Sequence, residues 1–174
     1  MKSSKFSFLL SAALGLFLAV SAFAQNWTFS DANAEYVFDL PENSWKMTAK
    51  PSALSPNVEY VYNDRRDGHL EVRKLALKSG ALLSELIRDE EEKLQFLKGY
   101  VAGKEEPFAG NLKGTIFNYE YVRSGRSMSG RFYFLKADDS TIYVIRFTGE
   151  RDKLRSIRNQ TDLIARTFEI KKAK

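Results

Sequence analysis

Two neighbouring stretches of this chain are apolar on both faces when read as strands. In Arg131–Lys136, Phe132 and Phe134 alternate with Tyr133 and Leu135. In Thr141–Thr148, Ile142 and Val144 alternate with Tyr143, Ile145 and Phe147. A strand with one wet face would alternate apolar and polar residues. These two must lie inside a sheet that is covered on each side, which excludes an open hairpin or a one-sided sheet. With Thr115–Val122 before them they predict a three-strand meander over Gly114–Thr148. Its first turn is read as Ser124–Gly130, and its second holds Asp138-Asp139, ordinary turn chemistry.

The rest of the chain supplies the cover. Upstream, Trp27–Ser30, Glu35–Leu40, Ser44–Thr48, Val58–Tyr62 and His69–Leu77 read as strands. Pro41 ends one of them because it has no N–H to give. Asp67-Gly68 marks a turn. The period then becomes helical. Leu83, Leu86, Ile87, Glu90, Leu94 and Leu97 predict a helix over Ala81–Lys98, with Ser79 as its cap and Gly99 as its left-handed stop. Lys104–Phe108 reads as one more strand. After Gly149, Leu154, Ile157, Thr161 and Ile164 share one helical face, with Arg151, Lys153, Arg155 and Arg158 largely elsewhere. Thr167–Ile170 closes the chain as a strand.

The first residues do not belong to this pattern. Lys2 and Lys5 precede an uncharged, mostly apolar run, Phe6–Val20, and Ala22-Phe23-Ala24 fits a small-x-small cleavage site. Residues 1–24 therefore read as a secretory signal peptide, with residues 25–174 as a single domain. The apolar run falls short of the roughly 20 residues that a membrane span needs. An exported protein is expected, periplasmic or extracellular, with no stable transmembrane anchor after cleavage. There is no cysteine, so no disulfide contributes and the core must suffice. Loss of Lys2 and Lys5 takes the formal net charge from +5 to +3. That charge is dispersed among many acids and does not form the clustered footprint of a nucleic-acid binder.

The run Tyr36-Val37-Phe38-Asp39-Leu40-Pro41-Glu42-Asn43-Ser44-Trp45 resembles the opening of PsbP-like and Mog1-like domains. The later order of hairpin, helix, meander and closing helix is similar too, down to the final Arg166-Thr167-Phe168-Glu169-Ile170. The resemblance covers most of the mature chain. It implies an α+β fold: a single twisted antiparallel sheet with helices on both faces, an α/β/α sandwich. It implies binding modules and assembly factors, and it brings no catalytic residue with it.

The residues themselves argue the same way. One histidine, His69, and no cysteine leave no Cys nucleophile, no Cys-rich zinc site and no His pair. His69 is expected at a solvent-exposed turn. Asp89, Glu90, Glu91 and Glu92 fan around a helix and do not converge as ligands would. No catalytic residue, metal site or cofactor is expected. The chain reads as a non-catalytic accessory protein that acts by contact with another envelope protein. Its expected partner surface is the Ser124–Gly130 turn, with Arg123, Arg126 and Arg131 for an anionic partner and Met128 as an apolar contact, together with the Lys50–Asn57 loop. The alternative is a carrier of a hydrophobic small molecule or lipid. Its pocket would be lined by Phe117, Tyr119 and Tyr121, which share one strand face and otherwise belong to the core. Glu120 and Arg146 are charged positions in apolar strands, either turned outward or paired with each other inside.

Overall fold

The computed structural model describes residues 27–78 and 80–172. The expected signal peptide, residues 1–24, and the expected cap Ser79 lie outside the described residues. In chain order the elements are β1 (Trp27–Phe29), β2 (Tyr36–Leu40), β3 (Trp45–Ala49), β4 (Val58–Tyr62), β5 (Gly68–Ala76), α1 (Leu83–Glu92), β6 (Val101–Ala109), β7 (Lys113–Arg123), β8 (Arg126–Lys136), β9 (Thr141–Glu150), α2 (Arg151–Ser156), α3 (Arg158–Thr167) and β10 (Glu169–Ile170).

The two doubly apolar stretches become β8 and β9, adjacent inside a seven-stranded antiparallel sheet of order β3-β4-β5-β9-β8-β7-β6. Alternation then assigns their side chains. Tyr133, Leu135, Tyr143, Ile145 and Phe147 face a core closed by Leu154 of α2 and Ile164 of α3. Phe132, Phe134, Ile142 and Val144 face the opposite core, closed by Ile87 of α1. The fold is α+β with helices on both faces of the sheet. One expectation changes. The sheet is not single: β1, β2 and β10 form a second, three-stranded sheet of order β1-β2-β10. It helps the helices to cover the first face, stacking Phe29, Tyr36 and Phe38 beside Phe168 and Tyr143. Pro41 ends β2 as expected, and Trp45 resumes in the large sheet, where its indole N–H donates to Gln160 Oε1 of α3 at 2.9 Å.

The helix before the meander is shorter than its apolar period. α1 stops at Glu92, and the chain continues in three-residue turns, with Leu94 N–H bonded to Glu91 O, Leu97 N–H to Leu94 O and Tyr100 N–H to Leu97 O. These turns still aim Leu94 and Leu97 inward, so the period runs beyond the helix. Gly99 has φ +64° and ends the turns, not the helix.

The first turn of the meander is also shorter than expected. Only Ser124 and Gly125 lie between β7 and β8, with φ of 52° and 75°. Positive φ at both central residues is the two-residue hairpin turn whose twist suits the flanking strands. Arg126–Gly130 therefore belongs to β8. Its small residues have a packing reason. Tyr119 pairs with Gly130, and a Cβ at Gly130 would lie 2.0 Å from the Tyr119 ring. The ring crosses β8 at the glycine, and the Tyr119 hydroxyl accepts hydrogen bonds from Arg146 of β9 at 2.8 and 3.0 Å. Gly130→Ala is expected to cost about 1–3 kcal/mol by overpacking. The double variant Gly130→Ala/Tyr119→Ala should recover part of that loss relative to the sum of the single changes, a coupling measurable by urea denaturation.

Candidate functional site

The sheet's first face carries one charged side chain at its centre. Arg131 of β8 is buried, and all three of its guanidinium nitrogens are engaged. Nε donates to Tyr133 Oη at 2.6 Å, Nη1 to Asn118 Oδ1 at 3.0 Å and Nη2 to Asp162 Oδ1 at 2.9 Å. The Tyr133 hydroxyl in turn donates to Asp162, and Thr161 Oγ1 lies 3.3 Å away. Burial pushes the Tyr133 hydroxyl pKa up, and its bond to Asp162 adds to the rise against the opposing pull of Arg131. Each polar group finds a partner, as a buried charge requires. The network ties α3 to the middle of the sheet.

Beside this clamp, α2 and α3 stand away from the ends of β6, β7 and β8 and leave a groove of about 510 Å³. Leu154 contributes its apolar side chain, and Val101, Ala102 and Gly103 of β6 form part of the opposite side. Arg151, Arg155 and Arg158 line the helical side. Arg151 Nη1 lies 3.6 Å from Glu120 and Arg158 Nε lies 4.0 Å from Asp162, beyond hydrogen-bond length. Among the described residues, Arg151 Nε is buried with no hydrogen-bond partner, and Arg155 has no ion-pair partner. Arg151 Nε also lies 3.8 Å from Asp152, so the groove is rimmed by two guanidinium groups in long ion pairs and by that of Arg155.

The expected partner surface divides. Arg123 and Arg126 face each other across the hairpin and are exposed, and Arg126 pairs with Glu150 at 2.7 Å. Met128 is buried in the core beneath α1 and offers no outer contact. Arg131 is buried on the other face of the sheet, five residues on from Arg126 and so of opposite strand parity. Arg123, Arg126, Met128 and Arg131 do not form one surface. The Lys50–Asn57 loop lies at the other end of the sheet, beside Ser140 and Thr141, with Leu54 fully outward.

The aromatic pocket is also corrected. Phe117, Tyr119 and Tyr121 are buried and stacked, packed with Ile87, Leu94 and the flanking Leu83, Leu86 and Leu97. Their rings pack against one another and against these side chains as part of the core. Burial raises the Tyr119 pKa to about 12, with Arg146 acting in the opposite direction. Glu120 and Arg146 lie on opposite faces, so they do not pair: Arg146 sits 5.3 Å from the Phe132 ring centroid and Glu120 reaches toward Arg151.

His69 is buried, not exposed at a turn, with Nε2 2.9 Å from Glu59 Oε2. Glu90 leaves the solvated acidic run and is buried under α1, bonded by Arg73 at 2.7 Å and Lys93 at 2.5 Å. Burial acts to raise its pKa, but the bonds from Lys93 and Arg73 outweigh it and hold the carboxyl below its usual 4.5. Among the described residues, no three His, Asp or Glu side chains gather as a metal site.

No family model and no curated protein matches the chain. Solved structures do match in fold. The Ran-binding protein Mog1p of Saccharomyces cerevisiae aligns over 84% of this chain and 96% of its own, with TM-score 0.61 and 11% identity. Cyanobacterial PsbP (CyanoP) of Synechocystis sp. PCC 6803 aligns over 92% and 98%, with TM-score 0.57 and 15% identity. LpqN of Mycobacterium tuberculosis, involved in cell envelope biogenesis, aligns over 85% and 91%, with TM-score 0.54 and 12% identity. The chain has a Mog1/PsbP-like fold, as the Tyr36–Trp45 resemblance implied.

The groove arginines went unassigned in the sequence because they lie off the apolar helical face. Their own spacing, 151, 155 and 158, is the i, i+4, i+7 of one helical stripe and is the signal that was available. Two outcomes check the geometry. Arg131→Ala is expected to lower stability by about 3 kcal/mol in urea denaturation, since it strands Asp162, whereas Arg155→Ala should change it by less than about 0.5 kcal/mol. Because Glu90 has a depressed pKa in the fold, its contribution is present above about pH 4.5 and is lost as pH falls through the folded value. Glu90→Gln should therefore flatten the acid limb of a stability-against-pH curve.

Proposed function

We propose that this chain is an exported, non-catalytic accessory protein that works in the cell envelope by binding another protein, and that the groove between α2–α3 and the ends of β6–β8 is its working surface. The observation that carries the reading is the row of Arg151, Arg155 and Arg158 along that groove, whose guanidinium groups make no internal hydrogen bond among the described residues. The signal-peptide pattern at residues 1–24 supports export. Proteins of the same fold are described as Ran-binding (Mog1p) and as involved in cell envelope biogenesis (LpqN), which favours a partner-binding role over chemistry. The carrier alternative loses its support, because Phe117, Tyr119 and Tyr121 are packed as core.

The test is chemical cross-linking in intact cells followed by affinity recovery of the tagged protein from the envelope fraction. One protein partner is expected with the wild type and with Arg123→Glu/Arg126→Glu, and it should be lost with Arg155→Glu/Arg158→Glu. Undiminished recovery with the groove variant contradicts the surface. Absence of any protein partner with the wild type contradicts the function.

A further inference from the structure

The arginines of the groove form a row, not a cup. Arg151 and Arg155 lie about one turn apart on α2, and Arg158 opens α3 beyond the break at Ile157, so the three are strung along the helical side. A single phosphate or carboxylate calls for convergent donors, two of them on one fork. A row suits charges that repeat along an extended chain, where residues i and i+2 on one side recur about every 6.8 Å.

The opposite wall has the matching character. It is an edge of the large sheet, since among the described residues β6 pairs only with β7. A register shift between Ala102 and Glu105 bends the edge at this point. Gly103 sits in that bend, and a Cβ there would lie 2.5 Å from the Asn118 carbonyl oxygen, so close packing on β7 requires glycine. The wall is consequently low and bare, with Val101 exposed beside it. A polypeptide backbone can approach such a wall closely, while alternate side chains reach the arginines across the groove or rest on Leu154 and Val101.

The charge balance is one-sided. Asp162 bonds Arg131 and Tyr133 through Oδ1, and its Oδ2 lies 4.0 Å from Arg158. Glu120 and Asp152 lie 3.6 and 3.8 Å from Arg151, and Arg155 has no ion-pair partner among the described residues, so the lining keeps a basic excess. The buried Nε of Arg151 makes no hydrogen bond. We infer that the groove takes an extended acidic segment of a partner protein, with Asp or Glu at alternate positions facing α2–α3 and its backbone laid against Val101–Gly103 of β6. This inference rests on the protein-binding function proposed above and specifies the chemistry of the segment recognised.

Fluorescence anisotropy with the mature chain tests it, using a labelled synthetic peptide of alternating glutamate and serine. The peptide is expected to bind with an affinity that falls as salt rises. Arg155→Gln/Arg158→Gln should weaken it at least about tenfold, while Arg123→Gln/Arg126→Gln should change it less than about twofold. A peptide of the same composition with its glutamates in one block should bind more weakly than the alternating one. Equal binding of the two peptides, or equal loss in the hairpin variant, overturns the inference in favour of diffuse attraction. Full displacement by millimolar inorganic phosphate, or stronger binding of anionic phospholipid vesicles through the same arginines, overturns it in favour of a different anion. The two proposals fail separately. A cross-linked partner that depends on Arg155 and Arg158, with no binding of the alternating peptide, leaves the function standing and removes this inference. Peptide binding with no partner recovered from the envelope does the reverse.

Discussion

The guanidinium of Arg131 is the interaction on which the arrangement of α2 and α3 over the sheet depends. It sits in the middle of a sheet face where a bare charge would be prohibitively costly, and every one of its nitrogens is bonded. Its partners come from three elements: Asn118 on β7, Tyr133 on β8 itself and Asp162 on α3. The clamp fixes where α3 lies on the sheet, and α2 leads into α3 through Ile157. The helical wall of the groove is thereby set at a definite distance from the β6 edge. Asp162 turns its other oxygen toward Arg158, 4.0 Å away, where the charges attract without a hydrogen bond.

Elsewhere the fold closes the space that function might have used. Tyr119 lies over Gly130 and is held by Arg146, so a polar residue pair seals the second face where aliphatic packing thins out. Arg73 and Lys93 hold the Glu90 carboxylate beneath α1. The small sheet packs Tyr36, Phe38 and Phe168 against Tyr143. With both faces of β8 and β9 closed, recognition is left to the margins of the sheet. At the groove, one margin combines a basic excess with a bare strand edge.

Much of the fold was legible because it rests on local alternation. The double burial of Phe132–Leu135 and Ile142–Phe147 required cover on each side, and the Tyr36–Trp45 stretch carries the likeness to Mog1-like and PsbP-like domains in its sequence alone. The small sheet was not legible as a separate unit, since strand pairing across more than a hundred residues leaves no local trace. The hairpin was misread for a different reason. Ser127, Ser129 and Gly130 look like turn residues, but Gly130 makes room for the Tyr119 ring and Met128 alternates inward between the serines. Arg131 looked like a surface charge because its partners Asn118 and Asp162 are 13 and 31 positions away. His69 was misplaced in the same way, its burial made tolerable by Glu59 on the neighbouring strand, whereas Glu90, which falls in the apolar helical period, is buried with Arg73 and Lys93 as partners. Local pattern shows which positions are apolar, whereas the burial of a charge is decided by residues that only tertiary structure brings near.

Recognition at the groove between α2–α3 and β6 is tested most directly by hydrogen–deuterium exchange of the protein, alone and with the proposed partner recovered by cross-linking. Added protection is expected only at Val101–Gly103 and Arg151–Arg158, with α1, the Ser124-Gly125 turn and the Lys50–Asn57 loop unchanged. Protection appearing at the turn or the loop, with the groove segments exchanging as in the free protein, would contradict it.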